Sequence, residues 1–117
     1  MALTPSEYGD AYESAQYLPN YAYSETTYWR VEKKGNVVTL HGNVLKDTMP
    51  YGQNVLLFTL DAKYKPAQSC ALMGVDGVNG RFYAIDISGN TGEIKTYLYG
   101  TGNATCRCNF TITYITN

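Results

Sequence analysis

An all-β chain, folded as an antiparallel two-sheet β-sandwich, is what this sequence predicts, and three observations predict it. From Tyr28 onward, short runs alternating apolar with polar residues are separated by Gly, Asn, Asp and Pro turn signals. Between Tyr28 and Asn117 no stretch repeats apolar residues at helical spacing. No connection is long enough for the crossover that parallel strands need. Short strands without helices leave a sandwich or a barrel, and 117 residues is the size of one ordinary domain.

The elements follow in order. Residues 1–27 stand apart: five tyrosines (Tyr8, Tyr12, Tyr17, Tyr21, Tyr23), four acids (Glu7, Asp10, Glu13, Glu25) and no base, interrupted by Pro5 and Pro19. Asp10 to Gln16 is long enough for a short helix but lacks a repeating apolar face, so the segment reads as an N-terminal neck or linker. The head domain then occupies 28–117. Its first run, Tyr28–Glu32, ends in the turn Lys33-Lys34-Gly35-Asn36. Val37–Leu45 sets Val38, Leu40, Gly42 and Val44 on one face. Asp47–Gln53 reads as a loop, because Pro50 and Gly52 break a ladder. Asn54–Leu60 is nearly all apolar, the pattern of a central strand covered on both faces. After the turn Asp61–Pro66, Ser69–Val75 is closed by Asp76-Gly77 and Asn79-Gly80, strong turn dipeptides. Arg81–Ile87 sets Tyr83, Ile85 and Ile87 against Phe82, Ala84 and Asp86. Ser88–Gly92 connects to Glu93–Tyr99, with Ile94, Thr96 and Leu98 on one face. Gly100–Thr105 turns, and Cys106–Ile115 closes the chain with Cys106, Cys108, Phe110, Ile112 and Tyr114 together.

Composition narrows the function. Net charge is −1 and the densest basic spot is Lys33-Lys34, which argues against nucleic acid as a partner. No apolar stretch reaches the length of a membrane span, and the N-terminus lacks a signal pattern. Three cysteines, Cys70, Cys106 and Cys108, make an odd count without metal-site spacing. They read as buried free thiols in a chain folded in a reducing cytoplasm. Without a signal peptide, the sequons Asn103-Ala104-Thr105 and Asn109-Phe110-Thr111 read as chance.

Catalysis is not expected. The single histidine, His41, lies in mid-strand with no nucleophile assigned beside it. Ten acids offer many carboxylate pairs, none distinguished by spacing. Asp86-x-Ser88-x-Asn90 spaces oxygen ligands like a calcium loop, but Thr91 and Tyr97 stand where Gly and Glu are required, so no metal or other cofactor is expected. Twelve tyrosines and one tryptophan against three phenylalanines favour a binding surface instead. Sugar rings stack on aromatics and offer hydroxyls to Asp, Asn and Arg. The candidate saccharide contacts are Trp29, Tyr51, Tyr83 and Tyr97, with Asp76, Arg81, Asp86 and Asn103 as polar partners. The competing use of these aromatics is as half-buried sheet residues or contacts between subunits.

A resemblance adds to this reading. Gly35-Asn36-Val37-Val38-Thr39-Leu40-His41-Gly42-Asn43-Val44 resembles the V-x-L-x-G-x-V strand of C-terminal receptor-binding head domains in phage tail-fibre and baseplate proteins. Thr59-Leu60-Asp61-Ala62-Lys63-Tyr64-Lys65-Pro66 is similar to their T-L-P-x-G-Y-R-P stretch, with Asp61 in place of Pro and Lys63 in place of Gly. Ala84–Ile94 resembles their v-x-I-x-x-x-G-x-I hairpin, and Tyr114-Ile115-Thr116 their closing strand. The resemblance, over Tyr28 to Asn117, implies a jelly-roll-like head, a homotrimer at the virion tail tip. It would bind host cell-wall or surface polysaccharide beside other tail and baseplate proteins, and the Tyr-rich start would join it to a shaft. It hands over no binding residues. Two other functions fit the same residues: a structural trimerising virion domain, or a free carbohydrate-binding module.

Overall fold

The computed structural model describes residues 12–17, 28–100 and 103–116, with side chains for all of these except 12–17, 46–48 and 103–104. The described strands are β1 (Tyr12–Tyr17), β2 (Tyr28–Lys34), β3 (Val37–Pro50), β4 (Asn54–Thr59), β5 (Cys70–Val75), β6 (Phe82–Ile87), β7 (Glu93–Leu98) and β8 (Asn103–Ile115). They form two four-stranded sheets, β1-β2-β3-β8 and β4-β7-β6-β5, and every pairing is antiparallel. Nested pairing of β3 with β8, β4 with β7 and β5 with β6 gives the jelly-roll-like wind. The order β4-β7-β6-β5 is a Greek key, in which β4 returns beside the last strand of a meander.

Period-two alternation builds the core. Trp29 and Val31 of β2, Val38 and Leu40 of β3, and Cys106, Cys108 and Phe110 of β8 face Tyr83, Ile85 and Ile87 of β6 and Ile94 and Leu98 of β7. Gly42 lies between Trp29 and Phe110 in one cross-strand row. A Cβ there would come within 2.5 Å of the indole and 2.8 Å of the phenyl ring. The missing side chain lets the two rings meet edge to face, with centroids 5.7 Å apart. Gly74 does the same for Tyr83 opposite it. The phenol passes beneath Gly74, where a Cβ would sit 2.5 Å from the ring, and donates to the Asn109 carbonyl at 3.2 Å. Tyr83 thereby ties the β5 side of one sheet to the free edge of β8 in the other.

Four expectations change. Tyr12–Tyr17 is a strand rather than a helix: it lacks a helical apolar face, and β2 supplies backbone partners from Arg30 to Lys34. Asp47–Pro50 continues β3 instead of looping, because a register shift between Lys46 and Met49 absorbs the irregularity. Pro50 stands at the strand's end, and the turn falls at Tyr51-Gly52. β8 likewise begins at Asn103, opposite Pro50. β4 is an edge strand rather than a central one. A bulge between Leu56 and Phe58 turns Leu56 outward and Phe58 inward onto Trp29, 5.6 Å between rings. The rest of residues 1–27 lies outside the described residues.

The Thr59–Pro66 stretch makes a single 3-10 turn at Ala62–Tyr64, with Tyr64 buried. The Tyr114 hydroxyl donates to the Tyr64 carbonyl, and Pro66 bridges Thr116. Cys106 and Cys108 are free buried thiols on one strand face, sulfurs 3.6 Å apart. The hydrogen bond to Cys108 and then burial push the Cys106 thiol up. Cys70 is only half-buried. Among the described residues no helix is long and apolar enough to cross a membrane.

His41 sits on the outer face of the first sheet. Its Nδ1 is 2.8 Å from the Thr111 hydroxyl, and its ring centroid is 5.7 Å from that of Tyr28. Partial burial and then the Arg30 guanidinium hold its pKa below the usual 6.5. As pH falls through 6.5 the unfolded chain takes the proton first. The neutral ring's contribution is therefore whole above that value and is lost below it. Arg30→Ala is expected to raise the His41 midpoint only part of the way to 6.5, since burial is the larger cause. Imidazole proton shifts in an NMR titration of this single histidine measure it, and an unmoved midpoint would refute the Arg30 contribution.

Candidate saccharide-binding face

The outer face of the second sheet is where surface chemistry collects. Alternation on β5, β6 and β7 that buries Tyr83, Ile85, Ile94 and Leu98 turns the intervening residues outward. Register arranges them in three rows. Ala71, Asp86, Lys95 and Leu56 lie side by side. Met73, Ala84, Tyr97 and Asn54 form the next row, about 7 Å further along the strands. Val75 pairs with Phe82, whose carbonyl accepts from the Tyr99 amide at 3.0 Å, completing the third.

Beside the first row lies a groove of about 360 Å³, lined by Ser69, Asp86, Ser88, Thr91, Glu93 and Lys95 among others. The β6–β7 connection builds its rim. Ser88 Oγ accepts from the Asn90 and Thr91 amides, both at 3.1 Å, a serine-turned loop. The Ser69 hydroxyl accepts from the Gly89 amide at 2.9 Å and holds that loop against β5. Thr91 Oγ1 donates to Glu93 Oε1 at 3.2 Å, and Lys95 Nζ stands 3.9 Å from the same carboxylate. Hydroxyls, carboxylates and an ammonium group thus line one concavity, with Tyr97 a row away. Tyr97 packs edge-on against Tyr99, centroids 4.9 Å apart. Such a set suits a polyhydroxylated ligand, with hydrogen bonds in the groove and ring faces alongside. It contains no histidine and no activated nucleophile. Among the described residues no group of three or more His, Cys, Asp or Glu could hold a metal.

Of the expected saccharide contacts, Asp86 and Tyr97 share this face, and Arg81 stands exposed at its far end beside Phe82. Tyr51 is half-buried at the β3–β4 turn, packed against the core and close to Gly100. Asn103 lies on the first sheet opposite Pro50, with its backbone alone described. Three others are corrected. Trp29 and Tyr83, each 1% exposed, are core residues. They share strand parity with Val31 and with Ile85, so the alternation that made the core also took them out of reach. Asp76 is equally enclosed. Its carboxylate accepts from the Val78 amide at 2.9 Å, the Asn79 amide at 3.3 Å and, across the sandwich, the Arg107 amide at 2.9 Å.

Ser69, Ser88, Thr91, Glu93 and Lys95 are not among the saccharide contacts that the sequence predicts. The one signal in the sequence was the tight Ser88–Gly92 connection, which brings the ends of β6 and β7 together. That Ser69 approaches the same loop is a matter of β5 pairing. A scan against protein-family models and a search of curated proteins both find no match to this chain.

Proposed function

We propose that this domain is a non-catalytic receptor-binding head of a phage tail or baseplate protein. Copies assemble as a trimer, and the groove beside Asp86 and Lys95 takes a host cell-surface saccharide. The observation that carries the binding role is the juxtaposition of that hydroxyl- and carboxylate-lined groove with Tyr97 on one sheet face. Asp86 accepts a pair of sugar hydroxyls, Lys95 donates to ring or hydroxyl oxygens, and Tyr97 supports an apolar sugar face. The resemblance of Gly35–Val44 and Ala84–Ile94 to phage head domains supports the virion setting.

The test is calorimetric titration of the chain with polysaccharide purified from the envelopes of a panel of bacterial strains. Asp86→Ala and Tyr97→Ala are each expected to weaken binding about tenfold, or ~1.4 kcal/mol, with an unchanged far-ultraviolet spectrum. Saccharide binding that both variants retain in full would move the site elsewhere. Failure to bind any envelope polysaccharide in the panel would count against the receptor role.

A further inference from the structure

Beyond the groove, the same sheet face is apolar. Met73 is 62% exposed, Val75 56%, Phe82 62%, Tyr99 46% and Leu56 49%. Register makes most of them contiguous: Val75, Phe82 and Tyr99 form one row, with Met73 in the row before. No ionised side chain stands in those two rows. Among the described residues the opposite outer face of the sandwich is mainly polar, with Arg30, Glu32, Thr39, His41, Thr111 and Thr113, and carries the exposed pair Val37 and Ile115 at one end.

We propose that this strip, centred on Phe82 and Met73, is the surface through which copies of this chain contact one another, leaving the saccharide groove open at the rim of the contact. The proposal rests on the oligomeric part of the function proposed above and names its surface. Size is the first argument. The five side chains expose roughly 500 Å², the upper range of what a monomer leaves bare. With flanking Ala84 and Arg81 the face extends toward the roughly 800 Å² that each partner gives to a standard interface, while Tyr97 stays at its border with the groove. Charge is the second. The strip is uncharged, Asp86 and Lys95 offset each other at its border, and the chain carries only −1, so like copies meet without repulsion. Asymmetry is the third. Among the described residues the larger apolar area lies on this one face, which favours a closed assembly around it over stacking through both faces into a filament.

Sedimentation equilibrium of the full chain over a range of concentrations tests this. The wild-type chain is expected to run as an oligomer. Phe82→Arg and Met73→Asp are each expected to reduce the mass to that of one 13.0 kDa chain. Asn109→Lys, at an exposed position on the polar face, is expected to leave the mass unchanged. Both test side chains are exposed, so circular dichroism should keep its β signature. A measurement free of substitutions stands beside it: wild-type amides of β5 and β6 should exchange hydrogen more slowly at high than at low concentration. Wild-type chain that stays monomeric throughout overturns this surface and the oligomeric reading together. An oligomer whose mass survives both substitutions, or whose β5 and β6 exchange ignores concentration, overturns the surface and leaves the oligomeric reading standing.

Discussion

Trp29→Ala is expected to destabilise the fold by about 3–5 kcal/mol, the cost of emptying a large aromatic site in a packed core. The indole is 1% exposed and stacks on Phe58 at 5.6 Å, with the planes 19° apart. It also meets Phe110 edge-on, over the space that Gly42 leaves open. Truncation removes ring contacts with β4, β3 and β8 at once. The row Trp29–Gly42–Phe110 has no neighbouring side chain at Gly42 to collapse into the gap, so relaxation recovers little. Urea unfolding followed by tyrosine fluorescence and circular dichroism measures the loss as a lower midpoint at unchanged slope. A stability loss under 1 kcal/mol together with abolished saccharide binding would return Trp29 to the binding surface.

Asp76→Ala is expected to cost about 3–4 kcal/mol, since hydrogen bonds to a charged acceptor contribute more than neutral ones and buried donors are left without it. The carboxylate gathers three amides: two from its own turn, at Val78 and Asn79, and one from Arg107 on the other sheet. Gly80 N donates to the Asp76 carbonyl at 2.9 Å, and Gly77 N to the Arg107 carbonyl at 3.2 Å. The residue therefore both shapes the β5–β6 turn and latches it to β8. Asp76→Asn keeps one acceptor oxygen and should lose about half as much. Hydrogen exchange at the Val78, Asn79 and Arg107 amides should quicken in both variants, most in the alanine one. Unchanged exchange at Arg107 would mean that the cross-sheet bond contributes nothing.

These two residues show how far the chain could be read unaided. Trp29 has the chemistry of a sugar contact and lies near a turn, yet its parity with Val31 assigns it to the core. Tyr83 shares its strand face with Ile85 and Ile87, which places it inside although its chemistry suits a surface contact. The period-two pattern was the stronger physical evidence in both cases, because inward residues of a strand cannot also face solvent. A buried phenol needs a partner for its hydroxyl. The Asn109 carbonyl that meets this need lies 26 residues away in sequence. Burial above all pushes its ionisation up to about 12, so Tyr83 stays a neutral donor. Asp76 is a different case. Asp-Gly announced a turn, but a turn aspartate is ordinarily solvated. Only the approach of β8 encloses this one.

Alternation and turn chemistry are local properties, and they sufficed for an all-β antiparallel chain, for the inward faces of β6, β7 and β8, and for Asp86 and Tyr97 pointing outward. The partner of each strand was decided by the tertiary structure, because pairing 37–50 with 103–115 joins residues that share no local signal. That pairing made β4 an edge and closed Asp76 under β8. Pairing in the second sheet gathered Ser69, Thr91 and Lys95 around Asp86 and aligned Met73, Val75, Phe82 and Tyr99 into one apolar strip. The physical reason is that a strand states which side chains share a face, while the long-range ladder alone states which faces become neighbours.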